Sequence, residues 1–100
     1  MRVELSNFIE SDLDTIAEYI AQDNPVRAVS FIQEIRSKFR LIGQNPRIYR
    51  LRPEVGEDAR AAVVGQYVVL FHIINDTARI ERVVYGGRDL WAMFNEASEH

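Results

Sequence analysis

Residues 59–91, ARAAVVGQYVVLFHIINDTARIERVVYGGRDLW, decide the fold of this chain. Ala61 to Val64, Tyr67 to Ile74 and Ala78 to Tyr85 are rich in β-branched and aromatic residues, the composition of strands. Gly65-Gln66 and Asn75-Asp76 fall between them and supply tight turns. The middle segment is apolar on both faces of its pleat, with Tyr67, Val69, Phe71 and Ile73 on one and Val68, Leu70 and Ile74 on the other. Only His72 interrupts it. One layer of helices covers one face of a sheet, so either the sheet curls on itself or a partner covers the second face.

Upstream, the period changes from two to 3.6. Arg2 to Leu5 reads as a short first strand. Ile9, Leu13, Ile16, Ala17 and Ile20 then form one helical stripe, which stops at Gln22-Asp23. Asn7 stands three residues before Glu10, the spacing of a capping box. Asn24-Pro25 opens a second helix, with Asn24 as its cap and Pro25 where a missing N–H costs nothing. Ala28, Ile32, Ile35, Phe39 and Ile42 form its stripe, and Gly43 with Asn45-Pro46 ends it. So short a link makes the two helices an antiparallel hairpin. Residues 46–59, with two prolines and a glycine, read as a loop. The fold class is α+β: strand, helical hairpin, then a three-stranded antiparallel sheet, in one domain over residues 1–100.

Composition narrows the function classes. The net charge of −3 argues against a protein that coats nucleic acid, and no direct DNA binding is expected. The charge is unevenly spread, however. Residues 25–52 carry seven basic groups against Glu34 alone, while the flanking segments are acidic. Paired helix faces account for such a band, and so does an acidic partner. There is no cysteine and no signal-peptide pattern, and no apolar run approaches a membrane span. A cytoplasmic protein without membrane contact is expected.

Few groups offer chemistry. His72 and His100 lack neighbours at ligand spacing, so His72 reads as a sheet residue, and no metal or cofactor is expected. No serine sits in a strand-to-helix elbow. Asp14 and Glu18, four apart, read as a solvated helix face. Arginines remain: Arg60 opens the first strand of the sheet and Arg88 follows the last, with Arg50 and Arg52 in the preceding loop. Guanidinium groups grip carboxylates and phosphates in a bidentate fork. Arg60 and Arg88 either do this or pair with Asp58 and Asp89 to seal the sheet. Tyr67, Tyr85 and Trp91 place aromatic faces near strand ends. Leu90-Trp91-Ala92-Met93-Phe94 reads as helical packing, with a docking role open.

Three phrases in this order, DLDTIAEYIAQDNPVRA (12–28), NPRIYRLRPEVGEDARAAVVGQYVVLFHII (45–74) and IERVVYGGRDL (80–90), resemble the RelE/ParE superfamily of toxins, and specifically its ParE branch. The resemblance implies the toxin half of a type II toxin–antitoxin pair. Its partner would be a small ParD-like antitoxin with a DNA-binding N-terminal part, wrapping the toxin in a hetero-oligomer and neutralising it. ParE members are described as poisons of DNA gyrase, whereas RelE members cleave messenger RNA on the ribosome. The RelE chemistry uses a lysine- and arginine-rich region, and this chain has one lysine, Lys38, on the second helix. Arginine is a poor general base. A binding poison that is not an enzyme is therefore expected, with a RelE-type endoribonuclease or a non-toxic antitoxin-binding module as the alternatives. Candidates for toxicity are Arg60, Tyr67, Tyr85, Arg88 and Trp91. Candidates for antitoxin binding are Ile16, Ile20, Phe31, Ile35, Phe39, Val69 and Phe71. One departure stands out, since ParE relatives often carry histidine at the position of Tyr85.

Overall fold

The computed structural model describes residues 1–99, and His100 lies outside the described residues. The chain runs β1 (Arg2–Leu5), α1 (Ile9–Ala21), α2 (Pro25–Gln44), a 3-10 turn (Pro46–Ile48), β2 (Arg60–Val64), β3 (Tyr67–Ile74), β4 (Thr77–Tyr85) and α3 (Leu90–Ser98). The α+β order is as expected. The first strand is not separate, however: it joins the sheet, parallel to β4, in the order β1-β4-β3-β2. None of the described helices is long and apolar enough to cross a membrane.

The meander is not regular throughout. Leu70 faces Arg82 and Phe71 faces Ile80, so Glu81 is an extra residue on β4. This bulge resets the alternation. Ile80 and Val83, three apart, both reach the core beneath the helices, while Val84 reaches the opposite face. A strict period of two would have sent Val83 outward.

Beyond the bulge, β4 outlasts its neighbour β1, and side chains take over the pairing. Ser6 N donates to Ile80 O at 2.9 Å, and Ser6 Oγ donates to Glu81 O at 2.6 Å. Asp12 on α1 then accepts from Val83 N at 2.9 Å. The same carboxylate grips Arg82 in a fork, at 2.8 and 2.9 Å. The Arg82 guanidinium also lies over the Phe8 ring, 4.6 Å from its centroid. Bonding to Asp12 is the largest influence holding Arg82 above its ordinary pKa. One buried carboxylate thereby bolts α1 to the sheet edge. The expected capping box is absent: Phe8, not Asn7, stands at the N-cap position of α1 with no side-chain cap, and its N–H donates to Ser6 Oγ at 3.2 Å.

Asn24 caps α2 as expected, Oδ1 accepting from Arg27 N at 3.0 Å. Gly43, read as a stop signal, instead lies inside α2. A Cβ there would stand 2.6 Å from Val3 Cγ2 and 3.2 Å from Met1 O, so the glycine permits close approach of α2 to β1.

Two cores flank the sheet. The larger contains Ile9, Leu13, Ile16, Ile35 and Phe39 from the helices, against Val69, Phe71 and Ile80. The smaller gathers Val55, Ala59, Val68, Leu70, Val84 and Phe94. The second face of β3 is therefore covered by α3 and the loop before β2, neither by curling nor by a partner. Asp89, weighed as a mate for Arg88, caps α3 by accepting from Ala92 N at 3.1 Å. Beneath α3 lies the bulge residue: the Glu81 side chain is 1% exposed, with Oε2 2.6 Å from His72 Nε2 and accepting from Arg79 Nε at 3.1 Å. His72 meets Phe94 edge-on at 5.0 Å. It is a sheet residue that seats the last helix.

Asp12→Ala leaves the Arg82 guanidinium and the Val83 N–H without their partner. Truncating one member of a buried pair costs about 3–5 kcal/mol, and a urea denaturation midpoint measures the loss. Asp12→Asn keeps an acceptor for Val83 and is expected to lose less. A cost below about 1 kcal/mol for the alanine variant would show that the edge is held by other means.

Candidate functional site

The five residues assigned to toxicity do not converge. In the β2–β3 ladder Arg60 faces Phe71, while Tyr67 faces Val64 four residues along. At about 3.3 Å per residue, Arg60 stands roughly 13 Å from the tyrosine end of the sheet.

The tyrosine end is built by register. Tyr67 opens β3 and Tyr85 closes β4, directly opposite. Their rings meet edge-on at 6.1 Å, and Tyr67 leans on Phe31 of α2 at 5.6 Å. Tyr19, on the outward side of α1, completes a hollow of about 370 Å³ with Thr15, Ile16 and Gln66. Tyr19 is 67% exposed and Tyr85 50%. Burial, and after it the neighbouring Tyr19 and Tyr85 phenols, hold the Tyr67 phenol above its ordinary 10.0. It stays protonated at neutral pH and is no ready base.

The Gly86-Gly87 turn shapes the next part. Gly86 N donates to Gln66 O at 2.9 Å and Arg88 N to Tyr85 O at 3.0 Å. A Cβ on Gly87 would lie 2.6 Å from Tyr85 Cε2, so the chain folds flat against that ring. The Arg88 side chain reaches Met93 Sδ at 3.8 Å and forms no ion pair with Asp89. Trp91 follows on α3, 60% exposed. Tyr19, Tyr85, Arg88 and Trp91 are thus exposed aromatic and guanidinium groups, the residue types that dominate protein interfaces.

Arg60 works elsewhere. Its Nη1 donates to Tyr49 O at 2.6 Å and to Arg47 O at 3.3 Å, and it does not pair with Asp58. Of the basic band, Arg36 pairs with Glu10 at 2.9 Å, Arg52 with Glu54 at 2.9 Å, and Arg27 with Glu34. Helix-face pairing thus accounts for part of it, as expected.

The antitoxin-binding candidates lie mostly inside the domain. Ile16, Phe31, Ile35, Phe39, Val69 and Phe71 are buried inside the larger core, and Ile20 is partly buried against it. These residues hold the helices to the sheet and present no free surface. The helical hairpin instead offers an outward groove of about 490 Å³, formed by residues such as Ala17, Ala21, Pro25, Val29 and Ile32. Val29, largely exposed, lines that groove and sits beside the stripe of α2 rather than on it. That offset was the available signal, since an apolar residue off the core stripe has no internal partner. Among the described residues no cluster of three or more metal-ligating side chains is present.

Two measurements probe the tyrosine end. Because Tyr67 binds its proton more tightly folded than unfolded, its contribution to stability is complete below about pH 10 and is lost as pH rises towards the folded value. Ultraviolet titration should show a phenol ionising above the ordinary range, which Tyr67→Phe should remove and Tyr85→Phe should move downward. A titration unchanged by Tyr67→Phe above the ordinary range would contradict the burial of that phenol. Gly87→Ala should displace the Tyr85 ring and shift its aromatic NMR resonances, whereas Gly86→Ala, whose Cβ would sit at ordinary contact distance, should leave them in place.

Comparison with known proteins agrees with this architecture. Residues 3–90 match the family described as the ParE toxin of the type II toxin–antitoxin system parDE. A solved structure titled as a chromosomal ParDE TA system from P. aeruginosa is similar, with a TM-score of 0.74 at 19% identity, covering 85% of this chain and 95% of that one. No curated protein sequence matches. At that identity the structural likeness speaks for the fold. The sequence match, which spans most of the chain, decides the family: this protein belongs to the ParE toxins of type II toxin–antitoxin systems.

Proposed function

We propose that this toxin inhibits DNA gyrase by binding it through the tyrosine face, without catalysing a reaction, and that a ParD-like antitoxin neutralises it. The observation that carries the target surface is the exposed pair Tyr19 and Tyr85, which border one hollow, with the exposed Arg88 three residues beyond Tyr85, a guanidinium with no carboxylate partner among the described residues. Large flat rings lose little entropy on docking, and an unpaired guanidinium supplies directional bonds. The chemistry of the same groups favours binding over acid–base work. Tyr67 holds its proton above the usual range, and an arginine does not surrender one near neutrality.

The antitoxin reading is supported by family membership and by the hairpin groove. An amphipathic helix laid into an apolar groove between two helices is a common recognition mode. Docking there leaves the tyrosine hollow uncovered by the same helix, so neutralisation would need a further segment or a bulky complex to block the target. The partner would bring the DNA-binding part, since the toxin is net acidic.

Induced expression with and without the antitoxin, followed by a supercoiling assay on purified gyrase, tests this. Arrest relieved by the antitoxin, with supercoiling inhibited, is expected. Tyr85→Ala and Arg88→Ala should each weaken inhibition about thirtyfold, the effect of a 2 kcal/mol hot spot. Arrest with gyrase untouched and messenger RNA cut on the ribosome would replace the target reading with the endoribonuclease. No arrest, with tight antitoxin binding, would make the chain a binding module.

A further inference from the structure

The geometry points to a second interaction surface at the Arg60 end of the sheet, built to receive an acidic, aliphatic peptide segment of a protein partner. Arg47, Leu51, Asp58, Arg60, Ile73 and Asn75 enclose an open hollow of about 360 Å³ there. It holds two guanidinium groups against one carboxylate, and Asp58 forms an ion pair with neither.

Arg60 is pre-oriented. Nη1 is committed to the carbonyls of Tyr49 and Arg47, which leaves Nε and Nη2 without a hydrogen-bond partner among the described residues. A guanidinium whose stem is already fixed loses little freedom on gripping a carboxylate. Arg47 is exposed and its own side chain has no carboxylate partner. Two aliphatic side chains share the lining: Leu51, close to half exposed, and Ile73.

Backbone conformation singles out the same place. Asp58 and Asn75 have φ of 58° and 55°, the two non-glycine residues with positive φ among those described. Both line this hollow, from opposite sides of β2 and β3. Left-handed residues other than glycine cost energy and gather where a loop must hold a set shape. A fixed arginine and a second cation flanked by Leu51 and Ile73 suit a segment in which carboxylates alternate with Leu or Val. A phosphate-bearing polymer would use the cations and leave Leu51 and Ile73 without an apolar partner. This surface lies apart from the tyrosine face, so its occupant is independent of whether gyrase is the target.

The probe is a synthetic peptide alternating glutamate with leucine, compared with its glutamine counterpart, by NMR titration of the full chain. The acidic peptide should shift the amides of Asp58, Arg60 and Asn75, weaken as salt is raised, and bind at least tenfold more tightly than the neutral one. Arg60→Gln should abolish the shifts, although it also unties the 3-10 turn. Arg47→Glu keeps every backbone bond and reverses one charge, so it should weaken binding at least tenfold with an unchanged melting temperature. Equal binding of both peptides, binding of neither, or insensitivity to Arg47→Glu would overturn the proposal. Shifts of the same amides by a short single-stranded RNA in preference to the acidic peptide would overturn it in favour of nucleic acid.

Discussion

The outer edge of β4 is the constraint on which the rest of the structure depends. A strand longer than its neighbour presents backbone groups that must be paired or solvated. Here β1 ends at Leu5 while β4 continues to Tyr85, and Ser6 and then Asp12 supply the missing partners. The closure makes α1 part of the sheet edge. Since Asp12 and Tyr19 lie seven residues apart on that helix, two turns, fixing the carboxylate at Val83 also fixes Tyr19 beside the strand end where Tyr85 stands. The aromatic hollow is therefore held by a polar bolt some distance from it.

The bulge at Glu81 has a comparable reach. By adding one residue to β4 it turns Ile80 and Val83 to one core and Val84 to the other, and it places a carboxylate under α3. That carboxylate is confined, with His72 and Arg79 on one oxygen and no hydrogen-bond partner on the other among the described residues. Charge pairing continues outward through Arg79 to Glu4 on β1. The groups so linked cross the sheet from His72 on β3 to Glu4 on β1. It is better suited to setting register than to adding net stability, because desolvation offsets much of the attraction.

Sequence reasoning reached the elements because their signals are local. Asn24-Pro25 needs only its own turn to start a helix, and Tyr67 to Ile74 reads as a strand whatever packs on it. What it missed depends on residues distant in the chain. Whether Asn7 or Ser6 tends the start of α1 is decided by Glu81, seventy-five residues away from Ser6. Gly43 looks like a terminator until Val3 is seen against it. The apolar second face of β3 suggested a missing partner, although Phe94 and Val55 were already in the chain. The site was less legible for a related reason. Tyr67 and Tyr85 were placed together by register, which a hairpin makes nearly local. Arg60 was grouped with them because both lie at strand ends, and periodicity does not say which end of the sheet a residue occupies. The antitoxin candidates are buried for a related reason: apolar stripes mark what the domain keeps for itself, and Val29, which lines the outward groove, lies beside the stripe.

Separating the two ends changes what a small toxin of this kind is able to do. With a single exposed surface, antitoxin and target compete for the same groups, and release requires the antitoxin to be destroyed. This chain presents three surfaces of differing chemistry: an apolar hairpin groove, an aromatic end with Arg88, and an aliphatic end with Arg47 and Arg60. A partner that spans more than one gains effective concentration from the link between its segments, so weak contacts at each end sum to tight binding. A target that touches one end alone has no such advantage. For a partner that did span these surfaces, loss of a single segment would lower its hold by orders of magnitude, without any one contact being strong.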